Sequence, residues 1–122
     1  MLRNEIIQKI KEHEMSNCAV VTLDAALVVH GVLMSAKKID MVFDIPEFEE
    51  YIKDYNRLVF EDSRYELKPF KISYCKKYIY NQEIDGIRVE TIKGIYSRYV
   101  RLYRFTGVTD YLDKAERLRE IF

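Results

Sequence analysis

Residues 19–43, AVVTLDAALVVHGVLMSAKKIDMVF, limit the possible folds more than any other stretch. A β-branched run over 19–22 passes straight into an apolar helix over 24–30, which Gly31 closes where a left-handed cap is needed. A basic turn over 32–38 then leads to a second strand, 39–43, that opens on the single carboxylate of Asp40. Strand, helix, turn and strand in this order predict an α/β (α+β) domain. Thr22 or Asp24 is expected to cap the helix, since either oxygen can accept from its first free N–H groups.

The chain of 122 residues makes a single domain, 1–122, that buries roughly two-thirds of the surface exposed when unfolded, with no need of a disulfide or metal. A composition 48% hydrophobic and 33% charged, with 4 Gly and 2 Pro, is that of a folded protein rather than a disordered tail. No segment approaches the roughly 18 apolar residues of a membrane span, and the N-terminus lacks the apolar core and cleavage site of a signal peptide. A cytoplasmic location is the default expectation. Cys18 and Cys75 are too few and too far apart to suggest a zinc site, and read as small hydrophobes. Formal net charge is zero, with an acidic excess of three over residues 1–60 and a basic excess of three over 61–122, which permits an anionic ligand on the C-terminal half.

Leu2, Ile6, Ile7, Ile10 and Met15 fall at helical spacing, so an amphipathic helix ending near Ser16 and Asn17 is expected to open the chain. After strand 39–43, Asp44 caps a helix that starts at Pro46 and runs to about Asn56. Residues 57–60, 65–74, 77–82 and 87–89 read as short strands, with Pro69 at an edge or bulge and Asp85-Gly86 as a hairpin turn. Two C-terminal helices follow. The first spans 90–105, with Ile92, Ile95, Tyr99, Leu102 and Phe105 as its apolar stripe and Thr106-Gly107 as its stop. The second starts at Thr109 or Asp110 and buries Leu112, Ala115, Leu118 and Phe122.

The body Ala25-Ala26-Leu27-Val28-Val29-His30-Gly31 and the later segment Ile84-Asp85-Gly86-Ile87-Arg88-Val89, with the helices around Lys93 and over 110–118, resemble the nucleotidyltransferase superfamily. The similarity is to small bacterial and phage members related to abortive-infection and toxin–antitoxin systems. The resemblance implies a nucleotidyltransferase-like fold, a small mixed sheet with helices packed on one face plus two C-terminal helices, and a Mg²⁺ site built from carboxylates on neighbouring strands, facing a Gly pair at a helix start. Here the Gly pair aligns with Leu23-Asp24, and the usual Asp-x-Asp aligns with Lys38-Ile39-Asp40. The agreements fall on packing and the departures on chemistry.

Asp40 and Asp24 are therefore the candidate metal-binding residues, and Lys38, whose ammonium repels a divalent cation, weighs against them. Asp62 or Glu66 could complete an unconventional acidic cluster. As an alternative to any ligand role, Asp40 forms a surface ion pair with Lys37 or Lys38. His30, at a helix C-terminus, is expected to pack and cap rather than act as a base, and His13 carries no functional expectation. Lys93, Ser97, Arg101 and Arg104 make a stripe with Arg98 beside it and Tyr96 and Tyr103 at its margins. Arginines among tyrosines suit phosphates and bases, so Lys38, Lys93, Arg101 and Arg104 are the candidate nucleotide- or phosphate-binding residues. The competing expectation is a solvated face neutralised by Glu90, Asp110, Asp113 and Glu116. Ten tyrosines and no tryptophan, with Tyr74, Tyr78 and Tyr80 close together, admit an exposed aromatic face for a protein partner or a homodimer.

The expected function is that of a degenerate, non-catalytic nucleotidyltransferase-fold protein that binds a nucleotide, a nucleic acid or a protein partner. One alternative is an active Mg²⁺-dependent nucleotidyltransferase. The other is an α+β interaction domain unrelated to that family.

Overall fold

A strand that turns into a helix with no intervening loop fixes the centre of the molecule. The computed structural model describes residues 1–13, 19–43, 70–74 and 79–121. In it, β1 (Ala19–Thr22) is followed at once by α2 (Leu23–Val29), and α1 (Arg3–Glu12) precedes both. The abrupt turn is made by Leu23, whose φ of 56° lies in the left-handed region that side chains with a Cβ seldom adopt. Thr22, in extended geometry, occupies the N-cap position but forms no side-chain cap, contrary to expectation, and neither does Asp24. The Thr22 hydroxyl instead donates to Glu90, and the Asp24 carboxylate is held from elsewhere in the fold. At the far end His30 is the C-cap and Gly31 takes φ +83°, as the sequence predicts.

The sheet is mixed, with order β3-β2-β1-β5-β4, where β2 is Ile39–Phe43, β3 Phe70–Tyr74, β4 Asn81–Ile84 and β5 Ile87–Glu90. Strand β1 runs antiparallel to β2 with Thr22 opposite Asp40, and parallel to β5 through Val21 and Val89. Strand β3 extends the other edge parallel to β2, with Lys71 in register with Asp40. Hairpin β4–β5 pairs Ile84 with Ile87 across Asp85-Gly86, both at positive φ (51° and 84°) as a two-residue turn of this type requires. That tight turn corrects the strand expected over 77–82. The ladder must run right up to a two-residue loop, so β4 begins at Asn81 and continues to Ile84.

One face of the sheet carries most of the core. Val21, Met41 and Val89 there pack with Ile6 and Ile10 of α1, Leu27 of α2, and Ile95 and Tyr99 of α3 (Ile92–Thr106). Ala115 and Leu118 of α4 (Thr109–Arg119) complete that cluster, and Val20, Val42 and Ile79 form a small second one. Alternation along the strands sorts these residues, since neighbours in a strand point to opposite faces. Each fully buried Ile, Leu or Val stabilises by roughly 1.5–3 kcal/mol relative to exposure.

Three expected boundaries move. Helix α1 ends at Glu12 with His13 extended, and Leu2 is its exposed N-cap residue rather than part of the buried face. Helix α3 starts at Ile92, because Glu90 is the last residue of β5 and the Thr91 hydroxyl caps the helix by accepting from the Gly94 N–H. Phe105, expected on the apolar stripe, is 95% exposed. Two successive steps of three carry it about 120° away from the direction of Tyr99, off the buried face. Gly107 at φ 71° closes α3 by donating its N–H to the Tyr103 carbonyl. The expectations for Met15, Ser16, Asn17, Cys18, the segment 44–69, Cys75, Lys77, Tyr78 and Phe122 lie outside the described residues. No helix among the described residues is long and apolar enough to cross a membrane.

Candidate functional site

The register of β1 on β2 decides where polar chemistry gathers. Because Thr22 faces Asp40 across the ladder, the first turn of α2 and the start of β2 lie at the same end of the sheet. A cleft of about 570 Å³ opens there. Asp24, Asp40, Lys37 and Lys38 line it from the sheet side, and Tyr99, Asp110, Tyr111 and Lys114 line it from the two C-terminal helices. Its volume falls in the range of small-molecule sites.

Asp24 is the hub. The Lys114 ammonium donates to both carboxylate oxygens, at 3.0 Å and 2.9 Å, and the Tyr99 hydroxyl donates to one of them. Lys114 also pairs with Asp110, one turn earlier on α4, at 3.1 Å. Its nitrogen lies 5.8 Å from the centroid of the Tyr99 ring, which stacks against Tyr111 at 6.1 Å between centroids. Three helices thus converge on one carboxylate.

The protonation of the hub follows from these contacts. Burial raises the Tyr99 phenol far above the ordinary tyrosine range, and the hydrogen bond to Asp24 and the charges of Asp24, Asp40 and Asp110 add to the shift. For Lys114 burial acts first and lowers the pKa, but the hydrogen bonds to Asp24 and Asp110 and their charges outweigh it, so the net shift is upward. Tyr99 therefore stays a neutral donor and Lys114 a cation at neutral pH.

These residues do not fit Mg²⁺, the ion that the sequence resemblance implies. Mg²⁺ takes near-octahedral oxygen ligands at about 2.0–2.1 Å, and a ligating carboxylate must have an oxygen to offer. Both oxygens of Asp24 are taken by an ammonium, which puts a positive charge where the metal would need to sit. Among the described residues no group of three His, Cys, Asp or Glu is placed to hold a metal ion. Asp62 and Glu66 lie outside the described residues.

Of the candidate residues, Asp24, Asp40 and Lys38 meet in this cleft, whereas Lys93, Arg101 and Arg104 lie elsewhere along α3. Two of the four acids expected to neutralise the α3 stripe, Glu90 and Asp110, are engaged differently. Glu90 is 3% exposed, accepts from the Thr22 hydroxyl and forms a bidentate pair with Arg98 at 2.9 Å on each arm. Asp110 belongs to Lys114. His30 has the packing role expected of it, its Nε2–H donating to the Glu90 carbonyl at 2.8 Å. The sequence reading missed Lys114 and Tyr99. The one local signal for Lys114 is Asp110 four residues before it, an ordinary helical ion-pair spacing. Comparison with protein-family models, curated proteins and solved structures finds no match to this chain.

Proposed function

We propose that the protein is a non-catalytic, nucleotidyltransferase-like binding protein whose cleft takes a nucleotide without a divalent metal. The observation that carries this reading is the Lys114 ammonium seated on both oxygens of Asp24. Its three N–H groups go to Asp24 and Asp110, so this cation takes the place of a metal on Asp24 and leaves a phosphate to other groups of the cleft. Lys37 and Lys38 line the same cleft and add two further ammonium groups, each a compact point charge suited to phosphate oxygens. The Tyr111 ring, stacked on Tyr99, gives an apolar surface for a base. Nothing in this arrangement activates a nucleophile or polarises a leaving group, so the reading is binding rather than transfer.

Calorimetric titration of ATP, GTP, CTP and UTP, each with and without Mg²⁺, tests it. Binding of at least one nucleotide is expected, with affinity unchanged by Mg²⁺ and weakened about tenfold or more in K37A/K38A, since each lost charge-assisted hydrogen bond is worth about 1.5–3 kcal/mol. Binding that requires Mg²⁺ overturns the metal-free reading and favours an active enzyme with Asp24 and Asp40 as ligands. Absence of heat with all four overturns the nucleotide reading and turns the search to a protein partner.

A further inference from the structure

Another cleft among the described residues is unrelated to the Asp24 hub. It measures about 630 Å³, and His30, Tyr80, Gln82, Ile92, Lys93 and Ser97 are among the residues that line it. Two of them, Lys93 and Ser97, are also the first two members of the exposed stripe of α3, which continues through Arg101 and Arg104. At 100° per residue these four positions stay within about 80° of one another around the helix. Cleft and stripe are therefore one continuous surface.

Two of the four acids expected to cancel it are bound elsewhere, and the other two, Asp113 and Glu116, enter no ion pair among the described residues. Glu90 is committed to Arg98 and Asp110 to Lys114. Among the described residues Arg101 and Arg104 enter no ion pair. From Lys93 to Arg104 the helix rises about 16 Å, which matches about five nucleotides at a stacked spacing of about 3.4 Å. The cleft at one end has the chemistry of a base site. Its lining is mainly apolar, the Tyr80 ring at its lip is 70% exposed, and Gln82 offers an amide to a base edge. The Ser97 hydroxyl stands where cleft meets stripe and can bond a ribose 2′-OH.

We infer that this surface binds single-stranded RNA, with one base in the cleft against Tyr80 and the following phosphates along Arg101 and Arg104. A duplex does not meet it, because paired and stacked bases have no free face to offer the cleft. The inference concerns a different surface from the nucleotide cleft and stands or falls separately from it.

Fluorescence anisotropy with a labelled uridine oligonucleotide of about 12 residues, a DNA strand of equal length and the corresponding RNA duplex tests the assignment. The RNA strand is expected to bind best, and its affinity to fall by about tenfold to twentyfold between about 50 and 200 mM salt, as three phosphate contacts require. R101A/R104A, changed at exposed positions and checked for an unaltered circular dichroism melt, should lower the salt slope by about 1.4. Y80A should weaken binding by about tenfold while leaving the slope in place. No binding at the lower salt, a duplex or DNA strand bound as tightly as the RNA strand, or R101A/R104A binding like wild type overturns the inference. In the mononucleotide titration R101A/R104A is expected to behave as wild type, so failure of one reading leaves the other intact.

Discussion

Gly94 and Leu23 both show a backbone position deciding the chemistry around it. A Cβ on Gly94 would lie 2.9 Å from the Glu90 Cγ and 3.0 Å from its Oε2, so the glycine leaves room for the Glu90 carboxylate. Alanine is the better helix former by about 0.8–1.0 kcal/mol, but this carboxylate is buried and locked to Arg98 and cannot move aside freely. Displacing it costs hydrogen bonds to charged groups, about 1.5–3 kcal/mol each, and outweighs the propensity. Gly94→Ala is therefore expected to destabilise by about 1–2 kcal/mol in urea unfolding, and a stabilised variant would show that Glu90 has another place to go. Leu23 carries the left-handed turn at the position that the resemblance gives to glycine. The same resemblance puts Asp24, Asp40 and Lys38 forward as candidates, and the fold brings the three to one cleft. The sequence could not mark Lys114 or Tyr99, which reach Asp24 from 90 and 75 positions away and read locally as a helical ion pair and an apolar stripe.

At the scale of elements, α4 is held to the rest of the fold by several side chains, among them Tyr111 stacked on Tyr99. Ala115 and Leu118 bury their side chains in the main core, and Lys114 ties the helix's first half to Asp24 of α2. Removing the cation alone should loosen the helix without undocking it. In Lys114→Met, Asp24 keeps only the Tyr99 hydroxyl and Asp110 loses its partner. With Lys114 at 21% and Asp24 at 36% side-chain exposure, the loss is about 1 kcal/mol. Amide exchange over Thr109–Arg119 is then expected to quicken about fivefold while the amides of β1 are unchanged. Uniform acceleration across the chain would mean that α4 opens only with global unfolding. The element types of this region were legible, because the periodicity of α3 and α4 and the Asp85-Gly86 turn are local signals. The strand order was not. The parallel pairing of β1 with β5 joins segments separated by most of the chain, and no local pattern records it.

For the whole molecule, formal net charge is zero at pH 7, so general self-repulsion is small near neutrality. The limit on stability then comes from individual groups, and two in the Asp24 hub push the same way. Tyr99 is raised first by burial and then by Asp24, and Lys114 is raised because its bonds to Asp24 and Asp110 outweigh the effect of burial. In the unfolded chain a tyrosine releases its proton near pH 10 and a lysine near pH 10.4. Above about pH 10 the unfolded state therefore binds fewer protons than the folded one, and stability falls as pH rises. The contribution is complete below the unfolded values and is lost on the climb toward the folded ones. Melting temperatures followed by circular dichroism should accordingly fall above about pH 10. Tyr99→Phe removes the phenol but leaves the Lys114 pair with Asp24, so it should flatten that alkaline decline in part. Adding Lys114→Met should flatten it further. A Tyr99→Phe profile parallel to wild type through the alkaline range would mean that Tyr99 ionises as readily in the folded chain as in the unfolded one, and that the Asp24 hub is not closed in solution.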